Sequence, residues 1–129
     1  MAAVGIQVIL GFLLAVPFQS QLEGTERDAH VVAVMAGMLA TALLLAPSVL
    51  HRALLHRGQA VWLVEVGTKM MLAGALATSV SLAAAALLVG ERLYDDTWRL
   101  VPMIWTIIVL ALFWLLVPIA RNVRLNRAD

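Results

Sequence analysis

Glu65 and Lys69 are the two residues of this chain whose types and spacing best suit chemistry. They lie four residues apart, in the Glu-before-Lys order that favours an ion pair on one helix face. Such a pair inside a membrane could bind a cation or pass a proton. The alternative is that both lie at the membrane interface, with Lys69 extending its ammonium towards the headgroups. A complete span fits between Met70 and Gly90, which favours the interface.

The other polar residues form no recognisable enzyme site. Three serines, at Ser48, Ser79 and Ser81, have no candidate base at a matching depth, and no Gly-rich phosphate loop is present. The chain has no cysteine, which excludes thiolate metal sites and disulfides. His51 and His56 are five residues apart and do not share a helix face, so they predict no metal site. We therefore expect no enzyme, no metal and no cofactor.

Small residues recur at helical spacing on two apolar segments. Rows of this kind let helix backbones approach closely, within one chain, between two copies or against another protein. In the first segment Gln7 is polar, and we expect it to find a hydrogen-bonding partner across a helix interface. The residues that we predict to pack helices together are Gln7, Gly37, Ala73, Gly74, Ala77 and Ser81.

Arginines cluster after the second apolar segment and at the C-terminus. Their positions are typical of residues that contact anionic lipid headgroups, although membrane topology alone explains them equally well. They are too few and too close to the apolar segments to predict a nucleic-acid partner. The predicted headgroup contacts are Arg52, Arg57, Arg121, Arg124 and Arg127.

The composition identifies the elements that must position these residues. Of the 129 residues, 63% are hydrophobic and 13% charged, and the mean hydropathy is +0.95. Soluble domains are about 45–50% apolar and about 25% charged, so a soluble globular fold is disfavoured. A membrane-spanning helix needs about 20 apolar residues. We predict one all-α domain over residues 1–129, an integral membrane four-helix bundle with up-down topology, short loops and approximate spans 2–18, 30–50, 63–90 and 99–120.

The ends of these segments carry local signals. The first segment has no basic stretch before it and no small-residue cleavage site after it, so we interpret it as a transmembrane helix and not a signal peptide. Because it begins almost at the first residue, an upstream stretch is a further expectation. We predict a polar loop over 19–30, with Thr25 or Asp28 capping the second helix. Pro47 predicts a kink or a stop near the end of that helix.

The distribution of basic residues predicts the orientation. Cytoplasmic loops carry an excess of Lys and Arg, and the comparison here is six against three in favour of the side that holds both termini. We therefore expect a multi-pass membrane protein with both termini in the cytoplasm. Trp62 marks the inner boundary, and Tyr94 and Trp98 mark the outer one.

Two short stretches carry a resemblance that covers nearly the whole chain. They are Gly5-Ile6-Gln7 followed by the segment 12–19, and Ala46-Pro47 with His51-Arg52 after it. In this order, with four spans, the sequence resembles a family of small bacterial membrane proteins of unknown function. The resemblance implies a location in the bacterial cytoplasmic (inner) membrane. Its members are often labelled sodium:proton antiporters, and they usually carry a charged amphipathic segment before the Gly-x-Gln stretch. The label implies cation and proton exchange, but no catalytic residues carry over.

Two functions remain open from the sequence. The first is a non-catalytic accessory or scaffold subunit, acting through helix packing and anionic-lipid contacts in a homo-oligomer or a larger membrane complex. The second is a homo-oligomeric cation/proton transporter that uses Glu65. Small multidrug transporters of similar size need an acid deep in the first helix, where this chain has Gln7. The depth of Glu65 and Lys69 discriminates between the two functions.

Overall fold

Four α-helices make up the described structure, which is a computed structural model. It describes residues 2–19, 21–54, 60–94 and 97–125, and their side chains over 4–18, 21–53, 62–94 and 97–114. The helices are α1 (Ala2–Gln19), α2 (Gly24–Leu54), α3 (Ala60–Leu93) and α4 (Val101–Leu125). The described residues contain no strand, so the all-α prediction is confirmed.

Helix α2 begins earlier than the sequence predicted, which corrects the loop expected over 19–30. Gly24 opens the helix with φ of +50°, a left-handed conformation that glycine adopts without strain. The Glu26 amide donates to the Glu23 carbonyl in the preceding turn. Thr25 and Asp28 therefore lie inside α2 and are not its caps. The length of an apolar segment reflects the thickness of the bilayer core and not the full length of the helix. Polar residues that favour helix can extend the helix beyond the apolar segment.

Pro47 does not stop α2, so that part of the prediction is wrong. It lies inside the helix, which continues to Leu54. Proline has no backbone N–H, so one rung of the α2 hydrogen-bond ladder is missing at this position. The helices α2 and α3 have 31 and 34 residues. At 1.5 Å per residue they are about 45–50 Å long, well beyond an apolar core of about 30 Å.

The central element is the antiparallel pair of α2 and α3. Contacts between them place Ala33 beside Ser81, Leu44 beside Gly74 and Pro47 beside Gly67. Among these contacts, residue numbers increase along α2 as they decrease along α3, so the two helices are antiparallel. We call the extremity with Glu26 and Arg92 the Arg92 end, and the extremity with Arg52 and Trp62 the Arg52 end.

The two outer helices pack on this pair. Leu13 of α1 lies in a buried cluster with Ala29, Ala33, Ala84 and Leu88 of α2 and α3. Helix α4 packs on α3. A groove of about 350 Å³ is lined by residues of all four helices, so α1 and α4 flank the same side of the central pair.

Apolar side chains point outward along the helices. Only small side chains are fully buried: Ala33 and Ala40 have no exposed area, and no large side chain is fully buried among the described residues. Large apolar side chains are exposed in the middle of every helix, including Phe12, Met35 and Leu76. Two helical segments, Gly24–Ala53 and Trp62–Leu93, are long and apolar enough to cross a membrane. Shorter apolar helices run over Val4–Phe18 and Val101–Trp114.

Candidate functional site along the α2–α3 pair

The contact between α2 and α3 is built from small residues and one hydrogen bond. The Ser81 hydroxyl donates to the Ala33 carbonyl oxygen at 2.7 Å, and both residues are buried. A Cβ added at Gly37 would lie 2.7 Å from Leu10 Cδ2 and 3.1 Å from the Ser81 oxygen. A side chain at Gly37 would require Leu10 and Ser81 to shift, so glycine allows the three helices to approach closely here.

A second close approach lies further along the same contact. A Cβ at Gly74 would lie 2.9 Å from Leu44 Cγ and 3.2 Å from Leu43 Cβ. Gly74, like Gly37 and Ser81, is buried where the sequence predicted helix packing, and Ala77 is half-buried. Among the predicted packing residues, Gln7 and Ala73 lie at exposed positions.

Five further hydroxyl groups bond to the backbone of their own helix. Each donates to the carbonyl oxygen four residues earlier, at 2.8–3.0 Å. A hydroxyl satisfied in this way does not need water. The residues that do so are Thr41, Thr68, Thr78, Ser79 and Thr106.

The Arg92 end is closed by an ion pair. Arg92 Nη2 lies 3.0 Å from Glu26 Oε2 and also donates to the Gln21 carbonyl at 3.2 Å. The side chains of Arg92 and Glu26 are only 32% and 25% exposed. This pair joins α2, α3 and the chain before α2. Sequence reasoning treated Glu26 and Arg92 as loop charges and did not predict their contact.

His30 is a buried polar residue that sequence reasoning also missed. It is 8% exposed and lies on α2 one turn after Glu26. Its Nδ1 atom has no hydrogen-bond partner among the described residues. The sequence contained a signal for the burial of His30. It precedes Gly37 by seven residues and so lies on the same helix face as that predicted packing residue.

The Arg52 end is open. A surface cleft of about 560 Å³ lies between α2 and α3 there. A Cβ at Gly67 would lie 3.7 Å from Pro47 Cβ, an ordinary contact distance. The polar walls of the cleft come from α2, whereas α3 supplies mostly apolar side chains. Its lining residues are Pro47, Ser48, His51, Arg52, Leu63, Val64, Gly67, Thr68 and Met71.

Glu65 and Lys69 form an ion pair near this cleft. Lys69 Nζ lies 2.7 Å from Glu65 Oε1, and the side chains are 71% and 63% exposed. Neither residue lines the cleft. Each follows a cleft-lining residue, Val64 or Thr68, by one position, about 100° around the helix. The pair therefore faces outward and is not part of the contact between helices.

The predicted arginine contacts fall on described and undescribed parts of the chain. Arg52 is exposed and lines the cleft. Arg121 and Arg124 lie on the last turns of α4, of which only the backbone is described. Arg57 and Arg127 lie outside the described residues. No cluster of three potential metal ligands occurs among the residues whose placement is described.

Fold and site together define a small all-α protein with an outward apolar surface and a central antiparallel helix pair. The chain belongs to a family of unknown function (DUF6328), whose model matches residues 1–118. The resemblance to a family of unknown function is thereby confirmed. No curated protein and no solved structure matches the chain.

Proposed function

We propose that this chain is a multi-pass protein of the bacterial inner membrane that acts as a non-catalytic accessory or scaffold subunit. It would work by helix packing and by contacts with anionic lipid, in a homo-oligomer or a larger membrane complex. The observation that carries the proposal is the outward position of the large apolar side chains, combined with small and polar residues between the helices.

Burial supports the membrane part of the proposal. Only 28% and 17% of the most apolar stretches of α2 and α3 are buried inside the molecule. A core helix of a soluble protein is mostly buried, and monomeric soluble proteins rarely expose large apolar patches. Apolar helix surfaces exposed to lipid, unlike those exposed to water, carry no free-energy penalty. Small residues at helix contacts are also typical of membrane bundles.

Satisfied hydroxyl groups support the same conclusion. In the hydrocarbon region every polar group must be bonded within the protein. Thr41, Thr78 and Ser79 donate to their own helices, and Ser81 donates across to Ala33. The surplus of Lys and Arg, six against three, supports an orientation with both termini in the cytoplasm.

The exposed ion pair favours the scaffold over the transporter. Ion exchange on a carboxylate requires that group to lie in a path that water and the ion can reach from each side in turn. Glu65 faces outward and is already paired with Lys69. From Ala29 to Leu50 and from Met70 to Gly90, the two central helices contain no carboxylate.

One observation favours a second candidate, a homo-oligomeric cation/proton transporter. His30 is buried, and its Nδ1 has no partner among the described residues. Imidazole side chains serve as proton-transfer groups in many proteins. In this alternative His30 joins Glu65 as a candidate proton-carrying group.

Fractionation of cells tests the membrane part. We expect the tagged chain to remain with membranes after an alkaline carbonate wash and to dissolve only in detergent. Recovery in the soluble fraction would overturn the proposal. A reporter fused to the C-terminus tests orientation, and activity of a periplasm-specific reporter would show that the assignment is inverted.

Purification in mild detergent at native expression, followed by identification of co-purifying proteins, tests the scaffold part. We expect a stoichiometric foreign subunit or a defined homo-oligomer. Proteoliposomes with an imposed cation gradient test the alternative, by comparing the wild type with Glu65→Gln and His30→Gln. Cation-driven pH change that either substitution abolishes would replace the scaffold with the transporter.

A further inference from the structure

We propose that the cleft at the Arg52 end binds the headgroup and upper acyl chain of one anionic phospholipid. This inference rests on the proposed membrane location. It goes beyond a diffuse attraction between arginines and the membrane surface, because it assigns a single lipid to a defined cavity between α2 and α3.

The shape of the cleft fits a molecule that is polar at one end. His51 and Arg52 stand at its outer rim on the last turns of α2. Towards the middle of the helix pair the walls are formed by Pro47, Gly67 and Met71. A phosphate at the rim would place the first carbons of its acyl chain against these apolar walls. The volume of about 560 Å³ accommodates a headgroup with part of a chain, within the range of small-molecule sites.

The charged residues around the cleft favour an anionic lipid. The described walls of the cleft contain no carboxylate, and Arg52 has no ion-pair partner among the described residues. Lys69 is the other described cation at this end, but Glu65 neutralises it outside the cleft. A guanidinium binds a phosphate through two parallel hydrogen bonds, and the Ser48 hydroxyl on the same wall can add a donor.

Gly67 and Thr68 form part of the α3 wall of the cleft. Gly67 contributes no side chain, and its neighbour Pro47 lies at ordinary contact distance from where a Cβ would be. The Thr68 hydroxyl is bonded within its own helix, to the Val64 carbonyl at 2.8 Å. Thr68 can therefore be enlarged without breaking a bond between helices.

Native mass spectrometry of the tagged full chain in mild detergent tests the inference. After lipid is washed away, dioleoyl phosphatidylglycerol or dioleoyl phosphatidylcholine is added in equal amounts. We expect one phosphatidylglycerol per protomer and little phosphatidylcholine. Arg52→Gln should weaken phosphatidylglycerol binding roughly tenfold, as expected for a lost bond between charged groups. The matched control Lys69→Gln removes the same charge at the same end and should leave binding within about twofold.

Filling the cleft with a larger side chain provides an independent test of the inference. Thr68→Phe should abolish phosphatidylglycerol binding, whereas Leu72→Phe, one turn further along α3 and outside the cleft, should not. Excess glycerol phosphate, which lacks acyl chains, should not displace the lipid. Circular dichroism and elution volume verify that each variant is folded.

Three results would overturn the inference: equal binding of the two lipids, equal losses in Arg52→Gln and Lys69→Gln, or unchanged binding in Thr68→Phe. Displacement by glycerol phosphate would show a site for free phosphate instead of a lipid. Each of these results leaves the membrane location intact. Recovery of the chain in the soluble fraction would instead remove the membrane location and this inference together.

Discussion

The two ends of the α2–α3 pair differ although the same two helices form both. Near the Arg92 end a glycine and a serine bring the backbones together, and Ser81 donates to the Ala33 carbonyl. At the Arg52 end the helices leave a cleft of about 560 Å³. Gly67 at the open end is as small as Gly37 in the closed contact, so residue size alone does not decide the distance between the helices.

What differs is the set of groups that hold the helices together. Arg92 joins Glu26 and the Gln21 carbonyl at the closed end. At the open end the charged pair among the described residues is Glu65 and Lys69, both on α3, and it makes no bond to α2. A small-residue row therefore permits close packing at Gly37 and Gly74, and the described polar contacts between α2 and α3 lie towards the Arg92 end.

The largest effect is expected from Gly90→Ala at the closed end. A Cβ there would run into the Arg99 carbonyl oxygen, which belongs to the backbone and cannot move without displacing the chain before α4. We expect a loss of about 2–3 kcal/mol in the free energy of unfolding. Thermal unfolding in mild detergent, followed by circular dichroism, measures it. Gly11→Ala is the control, since nothing lies near that position, and equal midpoints for the two variants would contradict the prediction.

Ser81→Ala should have the next largest effect, because it removes the hydrogen bond between α2 and α3. Hydrogen bonds between membrane helices contribute about 0.6 kcal/mol on average and about 1.7 at most. We expect about 1 kcal/mol here, since the Ala33 carbonyl loses a buried partner. Ser79→Ala is matched in size, but its hydroxyl donates to Ala75 in its own helix. Alanine has the higher helix propensity in both variants, so a loss in the control as large as in Ser81→Ala would contradict the prediction.

Glu26→Gln should have a smaller effect than Ser81→Ala. The Glu26–Arg92 pair is partly exposed, so its contribution is limited to about 0.5–1 kcal/mol. Glu65→Gln is the matched control at the open end, where we expect at most about 0.5 kcal/mol because the pair is exposed and within one helix. High salt should reduce the difference between the two variants. If Glu65→Gln were the more destabilising, the comparison of the two ends would be wrong.

Gly67→Ala should have the smallest effect and the opposite sign. Its Cβ would make only an ordinary contact with Pro47. Alanine is favoured over glycine inside a helix by about 0.5–1 kcal/mol, so we expect the variant to be stabilised by about 0.5 kcal/mol. The same unfolding measurement applies, and destabilisation would mean that α2 and α3 approach more closely at this end than the cleft indicates.

Sequence reasoning predicted the helices better than their ends. Four apolar segments gave four helices, because an apolar run of about 20 residues without strand-like alternation suits a helix. Helices α2 and α3 extend beyond the predicted spans 30–50 and 63–90, since hydropathy decreases at residues such as Glu26 and Arg92 that continue a helix without difficulty. The proline at position 47 was correctly singled out but does not end its helix.

The residues of the predicted small-residue row differ in their burial. Gly37, Gly74 and Ser81 are buried between helices, whereas Ala73 is exposed. A row at four-residue spacing drifts around the helix, because 3.6 residues make one turn. The buried positions Gly67, Gly74, Ser81 and Leu88 repeat every seven residues, the period of a continuous antiparallel contact.

The sequence by itself determined the helical class, the apolar character of each helix and the ion pair between Glu65 and Lys69, since all three depend on neighbours along the chain. Tertiary structure alone decided the burial of His30, the bond from Ser81 to Ala33 and the pairing of Arg92 with Glu26. It also decided which end of the helix pair opens into a cleft. These features depend on the register of α2 against α3. Small residues along both helices are compatible with many registers, and contacts between residues distant in sequence select one of them.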